Sequence, residues 1–178
     1  MSRRWLSIQV ELIEGGGTTL WPRPGRIFAA AGAHTFAQLA AAIDDAFARW
    51  DRAHLHSFEL PDGTLVTGPI EWDDPPENAV DGHRTKLSTL AAGAQFLYTF
   101  DLGDDWTHLC TVAPRRIDPL EQLGIVPDAP LPYWGWGAIP DQYGRRFDGD
   151  DGEHRLPPNP GYTDLPPLRP HWGPNRSQ

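Results

Sequence analysis

Phe96-Leu97-Tyr98-Thr99-Phe100-Asp101-Leu102-Gly103-Asp104-Asp105-Trp106-Thr107-His108-Leu109-Cys110-Thr111-Val112 sets two apolar-rich segments around a turn that carries three carboxylates. It reads as a β-hairpin with an acidic tip. Gly103 suits the tip because it takes a positive φ at no steric cost, and Asp side chains hydrogen-bond their own turn backbone. Asp101, Asp104 and Asp105 could instead hold a divalent cation or exchange protons, since clustered like charges raise one another's pKa. His108 falls on the face shared by Trp106, Cys110 and Val112. There it is a core histidine paired to a carboxylate, or part of a site.

Upstream, Leu6, Ile8, Val10 and Leu12 alternate with Ser7, Gln9 and Glu11, the period of a strand with one buried face. Gly15-Gly16-Gly17 breaks it, and an irregular extended stretch through Leu20, Ile27 and Phe28 follows. Pro22 and Pro24 lack amide donors and place the start of that stretch at an edge or bend. Thr35 and Gln38 form the pattern of a capping box. Phe36, Leu39, Ala40, Ile43, Phe47 and Trp50 then recur at helical spacing, with Asp44, Asp45 and Arg49 expected to face water. His54 to Leu60 reads as a third strand, Glu71 to His83 as a surface loop, and Lys86 to Ala92 as a short helix ending at Gly93.

Thirteen of the nineteen prolines follow Ala113, together with Trp134, Trp136 and Trp172. The tryptophans favour a segment that wraps the core from about residue 113 to 148, since burying a large ring contributes roughly 2 to 3 kcal/mol. Within it, Asp118-Pro119-Leu120-Glu121 carries a helix start and Gly124 its stop. One domain over residues 1–148 is expected, followed by a weakly ordered Pro-rich tail over 149–178.

In a strand, residues two apart project to the same side, so His54 and His56 stand together. With His108 and Asp101 or Asp104 they could bind a divalent transition metal that activates water, the chemistry of a hydrolase. Alternatively they are packing residues on the face of Phe58 and Leu60. Trp134 and Trp136 on their Gly-punctuated loop suit either an aromatic binding platform or a plug over the sheet. Arg145 and Arg146 could clamp an anion. The acidic run from Asp148 to Glu153 lacks the ligand spacing of an EF-hand loop.

Among the 178 residues, a net charge of −9 disfavours nucleic-acid backbones and anionic membranes as partners. The single Cys110 can close no intramolecular disulfide and, flanked by apolar residues, makes a poor nucleophile. A cytoplasmic protein is expected. Arg3-Arg4 resembles an export signal, but Gln9, Glu11 and Glu14 interrupt the apolar stretch that such a signal needs. No phosphate-binding glycine loop, His-Glu-x-x-His or Gly-x-Ser-x-Gly elbow occurs.

Trp21-Pro22-Arg23, His54-Leu55-His56-Ser57-Phe58 and the hairpin block Tyr98-x-Phe100-Asp101-x-Gly103-Asp104-x-Trp106-x-His108 together resemble the plasmid pRiA4b ORF-3-like family. Members are also labelled passenger proteins of transposable elements. The resemblance implies an α+β fold and little about activity. With the elements above, this gives a mostly antiparallel sheet of about five strands, ordered β-β-α-β-α-β-β, on one main and one short helix with a Pro/Trp-rich extension. After the hairpin the chain carries Trp-Gly-Trp-Gly and Asp-Gln-Tyr-Gly-Arg-Arg where many relatives have a cysteine-containing segment.

The function expected is a non-enzymatic binding or interaction module for a protein or small molecule, with the hairpin tip, His54, His56 and the Trp134 to Arg146 loop around one concave surface. Asp101, Asp104, Asp105, Trp106, His108, Trp134, Trp136 and Arg145 are its candidate contacts. The alternatives are a metal-dependent hydrolase built on His54, His56, His108 and Asp104, and a nucleic-acid accessory factor.

Overall fold

The computed structural model describes residues 4–68, 74–147, 149–158 and, by backbone alone, 171–172. Strand β1 (Trp5–Gly15) is the spine of the sheet. It pairs antiparallel with β3 (Gly25–Ala31) on one side and with β8 (Trp106–Val112) on the other. β2 (Thr18–Thr19) folds back on its end. β8 continues to β7 (Gln95–Phe100), β4 (His56–Glu59), β5 (Leu65–Thr67) and β6 (Ala79–Asp81). On the far side β3 pairs with β9 (Leu131–Trp136), which pairs with β10 (His171–Trp172).

The class is α+β as expected, but the sheet is larger than about five strands, and β5 and β6 run parallel in an otherwise antiparallel array. β2, β5, β6 and β10 are two or three residues long, too short to register as a period. β6 lies in the stretch expected to be loop, and β9 in the stretch expected to be a plug. Part of the tail expectation for 149–178 falls on residues outside those described.

Helix α1 (Phe36–Ala46) begins at Thr35 with the expected capping box, the Thr35 hydroxyl accepting from Gln38 N and the Gln38 side chain from Thr35 N. It buries Phe36, Leu39, Ala40 and Ile43 against Ile8, Leu12, Phe28, Phe58 and Tyr98 of the sheet. The helix ends before Trp50, because Ala48 takes a positive φ of 58°. Asp44 and Arg49, expected in water, are buried: the Tyr98 hydroxyl donates to Asp44 Oδ1 at 2.8 Å, and Arg49 stacks on Trp106.

The short helix expected around Lys86 is only a 3-10 turn at Leu87–Thr89. Its backbone donors are used elsewhere, Leu87 N bonding His34 O and Ser88 N bonding Gly32 O. α2 (Pro119–Leu123) forms as read, with Asp118 accepting from Leu120 N and Gly124 left-handed at its end. The opposite face of the sheet holds a second cluster, Trp5, Ala29 and Ala31, covered by Ile117, Leu123 and Tyr133.

Candidate functional site

The hairpin tip is held by Asp101. Its Oδ1 accepts from Gly103 N at 3.0 Å and Asp104 N at 3.3 Å, and its carbonyl accepts from Asp105 N at 2.7 Å. Positive φ falls on Asp101 (60°) and Asp105 (52°) rather than on Gly103. Aspartate tolerates that region better than most side chains. The other Asp101 oxygen lies 3.3 Å from His54 Nδ1. On its far side, His54 Nε2 lies 2.7 Å from the Tyr143 hydroxyl, which donates to Asp51 Oδ2 at 2.7 Å. Asp101 and His54 therefore fasten the tip to the segment around Tyr143.

That segment is fixed from its own side chains. Asp141, buried, accepts from Trp50 Nε1, Tyr143 N and Arg145 N. Gln142 accepts from Trp50 N and Asp51 N and donates to Asp51 O. Between the tip and this docked loop lies a pocket of about 450 Å³, bounded by Gly15, Gly16, Asp104, Trp106, Pro140 and Tyr143.

Trp106 is the floor. A Cβ on Gly15 would fall inside its ring, so only glycine lets β1 pass over the indole. On the ring, the Arg49 guanidinium stacks with Cζ 3.8 Å from the ring centroid. Arg49 is itself buried, and burial pulls its pKa down to about 10. Among the described residues, three groups of this floor and wall stand without partners, the first being Arg49 Nε and Nη1. The buried Trp106 Nε1 has no acceptor. The Asp104 carboxylate has no hydrogen-bond or ion-pair partner among the described residues, although its backbone is tied at both ends by Gly16 N and Asp101.

The remaining candidates lie elsewhere. His108 is fully buried between Phe47 and Tyr98, its Nδ1 donating to Tyr98 O at 3.0 Å, and its partner is this carbonyl rather than a carboxylate. Burial, with the Arg49 charge adding to it, pushes its pKa down to about 3, so it is neutral at physiological pH. His56 packs its ring 5.9 Å from Tyr98. β7 lies between β4 and β8, which sets His56 and His108 about 10 Å apart at the backbone. Among the described residues, no three His, Cys, Asp or Glu side chains are grouped as a metal ion would require. β4 begins at His56, so His54 lies on the bend before the sheet and does not stand beside His56 on one strand, and the three histidines do not converge.

Trp134 and Trp136 stand on β9, with β3 and β1 between that strand and β8. Trp136 covers Gly25 and donates from Nε1 to Arg23 O at 2.9 Å, a packing role in place of the loop platform. Arg145 stacks on Trp50 at 3.8 Å and lies 3.4 Å from Asp141 Oδ1, so it braces the loop instead of clamping an anion. Cys110 is fully buried, and burial pushes its thiol pKa up, away from reactivity. Sequence reasoning set the Trp134 to Arg146 loop beside the hairpin tip but missed Arg49 and the individual roles of Asp141, Gln142 and Tyr143. The signal for Gly15 was present in the Gly15-Gly16-Gly17 run, where it read only as the end of a strand.

The sequence profile of the plasmid pRiA4b ORF-3-like proteins matches residues 8–125, a span that holds β1, α1 and the whole hairpin. The chain belongs to this family. As a pRiA4b ORF-3-like protein it also resembles in fold a protein of unknown function from Methanosarcina mazei Go1. That crystal structure is 22% identical, with a TM-score of 0.58 over 80% of this chain and 74% of the other. No curated protein matches the chain. Among the described residues, no helix is long and apolar enough to cross a membrane.

Proposed function

We propose that this pRiA4b ORF-3-like protein is a non-enzymatic binding module, and that its ligand seats in the pocket between the hairpin tip and the 140–144 loop. The observation that carries this reading is the pocket itself, floored by Trp106 and closed by a 140–144 loop that Asp141 and Gln142 hold in place. The volume of about 450 Å³ falls in the range of roughly 300 to 1,000 Å³ usual for small-molecule sites. His54, Asp51, Asp141 and Gln142 then serve to preorganise one wall, which lowers the ordering cost of binding.

The test is protein-observed NMR against a fragment library containing cations, anions and neutral rings. Hits are expected to shift the Trp106 indole and the Gly16 and Tyr143 amides together. Hits confined to other surfaces overturn the reading.

A further inference from the structure

We infer that the wall of the pocket is a proton-operated latch, in which His54 fastens the 140–144 loop to the hairpin tip while its ring is charged and loosens it when the ring is neutral. This goes beyond the binding reading, and its test needs no ligand, so the two stand or fall separately. His54 Nδ1 lies 3.3 Å from Asp101 Oδ2, its Nε2 lies 2.7 Å from the Tyr143 hydroxyl, and that hydroxyl lies 2.7 Å from Asp51 Oδ2. Each of these contacts needs a hydrogen between its two atoms, since otherwise two lone pairs face each other. Asp51 only accepts, because the Tyr143 hydroxyl and the Ala53 N–H hold its carboxyl below the usual range. Partial burial, with Asp51 facing it, pushes the Tyr143 hydroxyl up to about 12, so it keeps its single proton. That proton and the one N–H of a neutral imidazole serve two of the contacts. The imidazolium, with both nitrogens protonated, serves all three.

The charges around the ring are of one sign. Asp51 meets it from the connection between α1 and β4, Asp101 from the hairpin and Tyr143 from the loop, while Phe100 packs edge-on to it. Asp104 adds a further carboxylate on the pocket wall. Arg52 is turned to Asp44 and Asp45, Arg145 to Asp141, and among the described residues no Lys or Arg contacts His54. When the ring is neutral with its N–H on Asp101, Nε2 is an acceptor. The Tyr143 hydroxyl then either turns to it and gives up Asp51, or stays on Asp51 and faces a lone pair. In both cases Tyr143 is held by one bond fewer. Tyr143 and Gly144 border both the pocket of about 450 Å³ and a neighbouring hollow of about 270 Å³, so the loosened residue stands between two cavities. The fastened state holds one proton more, so acid closes the latch and rising pH opens it. Histidine is the side chain whose ordinary titration falls between about pH 5 and 8.

The experiment follows the His54 ring nitrogens by NMR, and hydrogen exchange of the Tyr143, Gly144 and Arg145 amides, on the labelled full chain from about pH 5 to about pH 8.5. Asp44 titrates in the same range and its charge acts on Arg49, whose Nη2 donates to Pro140 O at 3.4 Å, so the series is also run on Asp44→Asn. After correction for the intrinsic exchange rate, opening of the three amides should rise about threefold to tenfold across the range, the weight of about one hydrogen bond, in step with the His54 titration. The rise should persist in Asp44→Asn and vanish in His54→Gln and in Tyr143→Phe. A His54 ring that titrates while the amides keep their protection overturns the latch. So does a rise that survives in His54→Gln, or one that disappears in Asp44→Asn. Where His54→Gln does not fold, Tyr143→Phe and the parent titration decide.

Discussion

Replacing Asp44 by Asn should stabilise the protein in a way that grows with pH. Asp44 lies buried under the sheet, with the Tyr98 hydroxyl donating to it. Burial raises its pKa to about 7, against the opposing pull of Tyr98 and Arg52. In the unfolded chain an aspartate releases its proton near about 3.9. Between those values the folded protein holds a proton that the unfolded chain has lost, so stability falls as pH rises through this window. The full width of the window corresponds to an upper figure of about 4 kcal/mol. Arg52, 3.8 Å from Asp44 Oδ2 and partly exposed, is already part of that balance. Asparagine keeps the size and the acceptor for Tyr98 but does not titrate. Urea unfolding of both proteins between about pH 4.5 and about pH 8 isolates the effect, because every other carboxylate is common to the pair. The variant is expected to gain on the parent by about 2 to 4 kcal/mol across that range. A difference that stays constant with pH would refute the reasoning.

His108 carries the opposite sign. Its folded pKa of about 3 lies below the unfolded value, so its contribution is present near neutrality and is lost as pH falls through the acid range. Its ring nitrogen resonances should not move between about pH 8 and pH 5, and a midpoint near about 6.5 would contradict its burial. Gly15→Ala should lower stability by about 1 to 3 kcal/mol through overpacking against Trp106 and displace the pocket floor, seen as a changed Trp106 indole shift. Thr35→Ala should cost about 1 kcal/mol in unfolding free energy by removing the cap of α1, while pocket resonances stay in place.

The sequence made the hairpin, β1, the capped start of α1 and the Asp118 to Gly124 helix legible, because each depends on local period or local caps. It did not reveal the width of the sheet. β9 and the two- and three-residue strands owe their pairing to neighbours distant in the chain, a dependence no window of sequence contains. Asp44 and Arg49 were misjudged for a related reason. Charge predicts exposure only when no buried partner waits, and Tyr98 and Trp106 arrive from strands more than fifty residues further along. In the site, Asp104 and Trp106 were legible from the hairpin. The opposite wall was legible only as a loop beside the hairpin, because Asp141 and Gln142 act through main-chain bonds that leave no motif.

The two walls of the pocket have different standing in the chain. Gly15, Asp104 and Trp106 fall inside the stretch of residues 8–125 that carries the family match, whereas residues 140–144 lie beyond it. Asp141 and Gln142 hold the second wall largely through backbone groups, and the Tyr143 hydroxyl ties it to His54 and Asp51. On the proposed function, the hairpin side would anchor a ligand and the 140–144 loop, held by main-chain bonds, would close over it.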